Sequence, residues 1–253
     1  MRNILVTKFY TITDRFFLYN DMEKVQHRYA QARDILLASA DKWLHDVDEV
    51  IVDTHTVKND QEMFLHHTQR LEQLYNSEPC NILYCDLDIV FVKPTRVFGM
   101  FKDFSMCSGN CGVRYYPAGG MTDKQWNIQK EWVSNWKTDT DTVDEHIQNW
   151  QYEQKMYNVM HQSVKKHKFI NPFESLVHNV YNTPKNDYTM VHCCGTSQQF
   201  DSVDLQKKLW EYSNKGDQDK IHTQLSHHLF SQRMSDKSPN NPWFTDDSDW
   251  PWP

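Results

Sequence analysis

The segment Asn81-Ile82-Leu83-Tyr84-Cys85-Asp86-Leu87-Asp88-Ile89-Val90-Phe91-Val92-Lys93-Pro94 constrains this chain most: two apolar runs interrupted by two carboxylates, two residues apart. Desolvating an ionised carboxylate is costly unless a cation compensates it, so a pair at the end of a buried strand implies a bound divalent metal. Apolar runs on both sides put Asp86 and Asp88 at the carboxyl edge of a sheet, where open α/β folds hold their ligands. Hard oxygen ligands favour Mn²⁺ or Mg²⁺ over a closed zinc site. The alternative, that both are turn residues or helix caps, fits poorly after a run as apolar as Ile82-Leu83-Tyr84-Cys85.

The preceding chain alternates between the periods of strand and helix. Ile4 to Tyr10 reads as a first strand. Met22 to Trp43 reads as a helix whose inner face carries Val25, Tyr29, Ala32, Ile35, Leu36 and Ser39. Val47 to Thr54 is a second strand, Gln61 to Tyr75 a second helix, and Ile82 to Cys85 the strand that ends at the carboxylates. This order implies parallel, right-handed crossovers. No Gly-x-Gly-x-x-Gly loop follows the first strand, which argues against a dinucleotide fold. Downstream, Phe104 to Tyr116 supplies one or two strands, Thr122 to Trp136 a helix, and Val143 to Gln162 another with Ile147, Trp150, Met156, Tyr157, Val159 and Met160 on its core face. Asp139, Asp141 and Asp144 lack the glycine and bidentate Glu of a calcium loop and suit a helix cap. Helices follow Asp201 and Asp217, and the tail from Ser238 to Pro253 is acidic, with three Trp.

With 253 residues the chain can bury a substantial core. Its net charge of -7 argues against a nucleic-acid partner. No apolar run approaches the ~18 residues of a transmembrane segment, and Met1 to Val6 is too short for a signal peptide. Of six cysteines, Cys85, Cys107 and Cys193 fall in expected strands, as buried thiols do, which suits a reduced, cytoplasmic protein. A zinc site from Cys107, Cys111, His192, Cys193 and Cys194 matches none of the usual paired spacings.

The run Ile82 to Pro94 resembles the DxD segment of GT-A nucleotide-sugar glycosyltransferases, most closely the glycogenin and bacterial lipopolysaccharide galactosyltransferase group. Further pieces follow in the family's order. Arg70, on the helix before the DxD strand, stands where a basic residue reaches the donor. Ser108-Gly109-Asn110-Cys111-Gly112-Val113 resembles the Asn-x-Gly-Val strand, in which Asn110 would bond the sugar and Gly112 would admit it. Glu153-Gln154 resembles the Asp-Gln helix segment, with Glu in place of the usual Asp. Met190-Val191-His192-Cys193-Cys194-Gly195 resembles the late His-x-x-Gly element, whose imidazole is the third metal ligand. The lysine that commonly follows is replaced by Gln198, so the resemblance implies that Lys8, Arg70 or a mobile Lys neutralises the diphosphate instead.

The resemblance implies a GT-A (Rossmann-like) mixed central sheet flanked by helices in a single compact domain, residues 1–212, followed by a C-terminal helix and tail, 213–253. It implies a UDP-sugar donor, a glycan, lipid or protein acceptor, and retention of anomeric configuration. Asp86, Asp88 and His192 would hold Mn²⁺ or Mg²⁺. Thr7, Lys8, Tyr10, Arg70, Leu87, Asn110, Gly112 and Gly195 would join the two aspartates in binding donor, and Glu153 and Gln154 would carry the chemistry. Two rivals stand beside it. Asp86-Leu87-Asp88-Ile89-Val90 also matches the nucleophile motif of haloacid-dehalogenase-like phosphatases, with Asp86 attacking phosphorus. That family opens on this strand, however, and its late paired acids have only Gly216-Asp217-Gln218-Asp219 as a counterpart here. The other rival is a non-catalytic sugar-nucleotide-binding module.

Overall fold

The computed structural model describes residues 1–13, 22–107, 110–136, 143–163, 173–180, 187–193 and 199–236. Its elements in chain order are β1 (Arg2–Lys8), β2 (Thr11–Ile12), α1 (Met22–Trp43), β3 (Glu49–Asp53), β4 (Thr56–Val57), α2 (Asp60–Ser77), β5 (Cys80–Cys85) and β6 (Ile89–Phe91). They continue with β7 (Ser105–Cys107), β8 (Asn110–Tyr116), α3 (Asp123–Ser134), α4 (Val143–Gln162), α5 (Phe173–Leu176), β9 (Val177–Asn179), β10 (Met190–His192), α6 (Gln199–Asn214) and α7 (Gln218–Asp236).

A five-stranded mixed sheet with order β3-β1-β5-β8-β7 forms the centre. β1 pairs in parallel with β3 and β5, through Val6 opposite Ile51 and Tyr84, whereas β8 runs antiparallel to both β5 and β7. Every residue of β5 is buried, as expected of a strand covered on both faces. Alternation then sorts the side chains. Ile4 and Val6 join Cys80, Ile82 and Tyr84 on one face, packed against Phe64, Leu71 and Leu74 of α2, Trp126 of α3 and Met156, Tyr157 and Met160 of α4. Leu5, Leu83 and Cys85 face the other way, onto Leu36, Ala40 and Leu44 at the end of α1.

A second, three-stranded sheet, β6-β10-β9, continues from the first. β10 is antiparallel to β6, with His192 opposite Ile89, and parallel to β9. Val90, Val92 and Val191 pack there on Leu205 and Leu209 of α6 and Ile221 and Leu225 of α7.

The helices begin where local chemistry allows. Asn59 caps α2, its side chain accepting from the Glu62 amide, and Thr122 caps α3 in a reciprocal capping box with Gln125.

The expected fold class holds, with differences of detail. The first strand stops at Lys8, because the backbone beyond it turns to pair Thr11 and Ile12 with β4. Val159, expected on the inner face of α4, is 39% exposed; Met156, Tyr157 and Met160 are the turn of the helix that meets the core. The sequence pattern did not anticipate the short elements β2, β4, α5 and β9. The acidic cluster Asp139 to Asp144 and the Trp-rich tail lie outside the residues whose side chains are described. Among the described residues no helix is long and apolar enough to cross a membrane.

Candidate metal centre and donor site

The Asp86-Leu87-Asp88 segment is the joint between the two sheets. Its backbone is held from several directions. The Asp86 amide donates to the Gly112 carbonyl (2.7 Å), the Ile89 amide to the Asp86 carbonyl (3.2 Å), and the Cys193 amide to the Asp88 carbonyl (2.9 Å). From α6, the buried Gln206 donates through Nε2 to the carbonyls of Leu87 (2.8 Å) and Ile89 (2.9 Å). Strand pairing between β6 and β10 then carries His192 to the same place.

Asp86, Asp88 and His192 present ligand atoms that all lie within 4.8 Å of one another. His192 Nε2 is 3.1 Å from Asp88 Oδ1. Burial pushes the Asp86 pKa up; the Lys8 charge opposes this, and the Asp88 charge adds to it. Burial works to lower the His192 pKa, but the charge and hydrogen bond of Asp88, with Asp86 beyond, outweigh it and hold the imidazole above its ordinary value. Two carboxylates and an imidazole this close suit a divalent cation.

Gly112 completes the geometry. A Cβ there would lie 2.3 Å from His192 Cε1, 2.8 Å from its Nε2 and 2.9 Å from Asp86 Oδ2. Only glycine lets the β8 backbone approach His192 and Asp86 this closely. The fold thus brings together residues from the loop after β5, from β8 and from β10.

Lys8, at the end of β1, reaches the same region. Its Nζ lies 3.7 Å from Glu153 Oε1 and 5.9 Å from the centroid of the Tyr84 ring. Tyr84 donates its hydroxyl to Asp86 Oδ1. Glu153 and Gln154 are both buried on α4, and Glu153 Oε1, Gln154 Oε1 and the buried Thr7 Oγ1 make no hydrogen bond with the described residues. Such atoms are unusual in a native interior and mark where a bound polar molecule would be accepted. Tyr10 donates its hydroxyl to Asp53, whose Oδ1 is 3.3 Å from His55 Nε2, while the Tyr10 and His55 rings meet edge to face at 5.4 Å. Arg70 is exposed on α2, and its charge acts on Tyr10. Lys8, not Arg70, is thus the cation whose field is felt most at the aspartate cluster. Leu87 is half-buried between the two aspartates, and Asn110 opens β8 where its pairing with β7 shifts register. Gly195 and Gln198 lie outside the described residues.

Arg114, His67 and Gln206 belong to this region too, although the motifs did not include them, as does Tyr84, which lies in the DxD run but carries no assigned role there. Arg114 carried a legible signal: a lone cation inside Cys111-Gly112-Val113-Arg114-Tyr115-Tyr116 poses the same problem of burial as Asp86. The cysteines do not build the rival zinc site. Cys80, Cys85, Cys111 and Cys193 form no disulfide among the described residues, burial raises the Cys111 thiol to about 12, and the described metal-competent cluster contains no sulfur.

No protein-family model and no curated protein sequence matches this chain. Among solved structures, it is similar to a glycosyltransferase involved in the glycosylation of the major capsid of PBCV-1. The TM-score is 0.51 with 11% identity, over 82% of this chain and 100% of that one. The likeness is one of fold: the chain has a glycosyltransferase-like mixed α/β architecture.

Proposed function

We propose that the protein is a metal-dependent glycosyltransferase that moves a sugar from a nucleoside-diphosphate donor, a UDP-sugar, to a hydroxyl of a glycan, lipid or protein, with retention of configuration. The observation that carries this reading is the Asp86, Asp88 and His192 cluster, packed against Gly112 at the seam of two sheets in a glycosyltransferase-like fold.

The donor set of two carboxylates and an imidazole fits Mn²⁺ or Mg²⁺, which when bound would supply positive charge to the departing diphosphate. The chain's own residues have definable tasks. Lys8 adds a second positive charge beside Asp86, and donor phosphate would draw it from Glu153 by a charge-assisted hydrogen bond. Tyr84 fixes the rotamer of Asp86 through its hydroxyl. Thr7, Tyr10 and Arg70 line the approach at the end of β1, where base and ribose would lie. Glu153 and Gln154 offer unsatisfied oxygens that would accept hydrogen bonds from sugar hydroxyls, with Asn110, Gly112, Leu87 and Gly195 around them by resemblance. A carboxylate held beside the sugar stabilises positive charge at the reacting carbon. Cys80, Cys85, Cys111 and Cys193, without a disulfide among the described residues, support a reducing, cytoplasmic setting.

The test is a thermal melt with UDP, in Mn²⁺, in Mg²⁺ and in chelator, for the parent and for Asp88→Asn, together with UDP release from UDP-glucose and UDP-galactose. UDP should raise the melting temperature only with metal, and Asp88→Asn should lose both this shift and turnover while keeping the parent fold. Equal stabilisation in chelator would overturn the metal-dependent reading. Hydrolysis of a generic phosphate ester without any nucleotide-sugar turnover would move the assignment to a phosphatase.

A further inference from the structure

Arg114 is fully buried. Its guanidinium is sandwiched between the rings of Tyr84 and Tyr157, 3.9 Å from each centroid. Nη1 donates to the Cys111 carbonyl at 2.7 Å and Nη2 to His67 Nε2 at 2.8 Å. Burial, reinforced by the Lys8 and Arg114 charges, drives the His67 pKa well down, so its ring is neutral and accepts this bond. Four elements, α2, β5, β8 and α4, thus converge on one cation.

Its carboxylate neighbour is Glu153, with Oε1 3.8 Å from Nη1. That oxygen has Lys8 on one side and Arg114 on the other, yet accepts no hydrogen bond from the described residues. Charge therefore holds it in place, while its hydrogen-bonding capacity stays open. Stability alone explains such an arrangement badly, because a buried ion pair often adds less than well-packed apolar side chains of the same volume would. A planar, stacked, two-armed guanidinium does supply a fixed direction, which lysine or an apolar group supplies less well. Lys8 cannot serve as the fixed partner, since it also faces the aspartate cluster and would turn to a bound diphosphate.

We propose that Arg114 is a positioning residue, holding Glu153 from inside the core in the orientation in which it meets the donor sugar. The inference rests on the transferase reading, in which Glu153 is the carboxylate beside the sugar. When Lys8 is drawn to phosphate, Arg114 is the counter-charge that remains.

The experiment compares the parent with Arg114→Lys, Arg114→Met, Glu153→Gln and the Arg114→Met/Glu153→Gln pair. UDP release from UDP-glucose and UDP-galactose, UDP affinity by calorimetry in Mn²⁺, and thermal melts are measured on each. Arg114→Met should lower turnover ~100-fold, the scale expected when a reacting group loses its alignment, while UDP affinity stays within ~3-fold, because UDP lacks the sugar that Glu153 faces. Arg114→Lys should recover turnover to within ~10-fold of the parent. The double variant should turn over no more slowly than Glu153→Gln alone, as residues acting as a unit do. In the melts it should unfold at a higher temperature than Arg114→Met, since no buried carboxylate is then left with Lys8 as its one neighbouring cation among the described residues.

Turnover by Arg114→Met within ~3-fold of the parent, UDP affinity falling in step with turnover, or additive losses in the pair would each overturn the proposal. If Arg114→Met does not fold, a pair that does fold supports the coupling; a pair that also fails makes Arg114 a packing residue and overturns it. A parent inactive on both donors overturns the transferase reading instead, and the melts then decide whether Arg114 and Glu153 are coupled.

Discussion

His67 shows how one side chain can report on the whole region. It is completely buried, its Nε2 accepts from Arg114, and its Nδ1 has no hydrogen bond. Burial is the largest cause lowering its pKa. A histidine whose folded pKa is depressed adds nothing to the pH dependence above its ordinary value of 6.5. Below that value the unfolded chain takes up a proton that the native state refuses, so stability falls as pH drops from 6.5 toward the folded pKa. One proton corresponds to about 1.4 kcal/mol per pH unit. His67→Gln keeps an acceptor for Arg114 but cannot titrate, and denaturant melts from pH 7.5 to 5.0 should show a shallower acid slope than the parent by up to about this amount. Equal slopes would mean that His67 charges in the folded state. The sequence gives no sign of this role, since a histidine among Leu65, His66, Thr68 and Gln69 reads like any helix residue. Its burial depends on which face of α2 meets the sheet.

At the scale of elements, α6 does more than cover the second sheet. Gln206, fully buried, donates to carbonyls on both sides of Asp88, and its nearest counterpart on α1 is the Ala32 carbonyl at 3.2 Å. Gln206→Met preserves volume but leaves the Leu87 and Ile89 carbonyls unbonded, at about 1 to 3 kcal/mol each. Chemical denaturation should report a loss of roughly 2 to 4 kcal/mol, and Mn²⁺ affinity should fall because the Asp-Leu-Asp segment loses its clamp. Unchanged Mn²⁺ affinity in a destabilised but folded variant would limit Gln206 to packing. The strands and helices of the first half were legible because the unbroken apolar run Ile82 to Cys85 and the 3.6-residue period in Met22 to Trp43 are strong local patterns. Gln206 was not, because its task is set by a contact with Leu87 across 119 positions. The cation cluster was legible for the opposite reason: Asp86, Asp88, Gly112 and His192 are chemically conspicuous within apolar strands, whatever the distance between them.

For the molecule as a whole, the sequence suggests a boundary near residue 212, with the last helix as an appendage. The packing favours a different partition. Ile221 and Leu225 of α7 are fully buried in one cluster with Val90, Val92, Leu205 and Leu209, and Gln218 donates to the Val92 carbonyl at 3.0 Å. We propose that α7 folds as part of the same unit. A chain ending at Gly216 should lose about 3 to 6 kcal/mol from the two side chains alone, at about 1.5 to 3 each, and should melt at a markedly lower temperature. An unchanged melting temperature would restore the boundary at 212.

The seam between the two sheets has one more consequence, for synthesis. A ribosome delivers Asp86, Asp88 and Gly112 early, but the imidazole that joins them arrives only with β10, together with the strand that pairs with Ile89. The emerging chain therefore passes through a long interval in which two aspartates stand exposed with neither their third neighbour nor a second sheet to shelter them. Completion of the three-residue cluster and pairing of the second sheet therefore depend on one late strand, and a chain halted before His192 has neither.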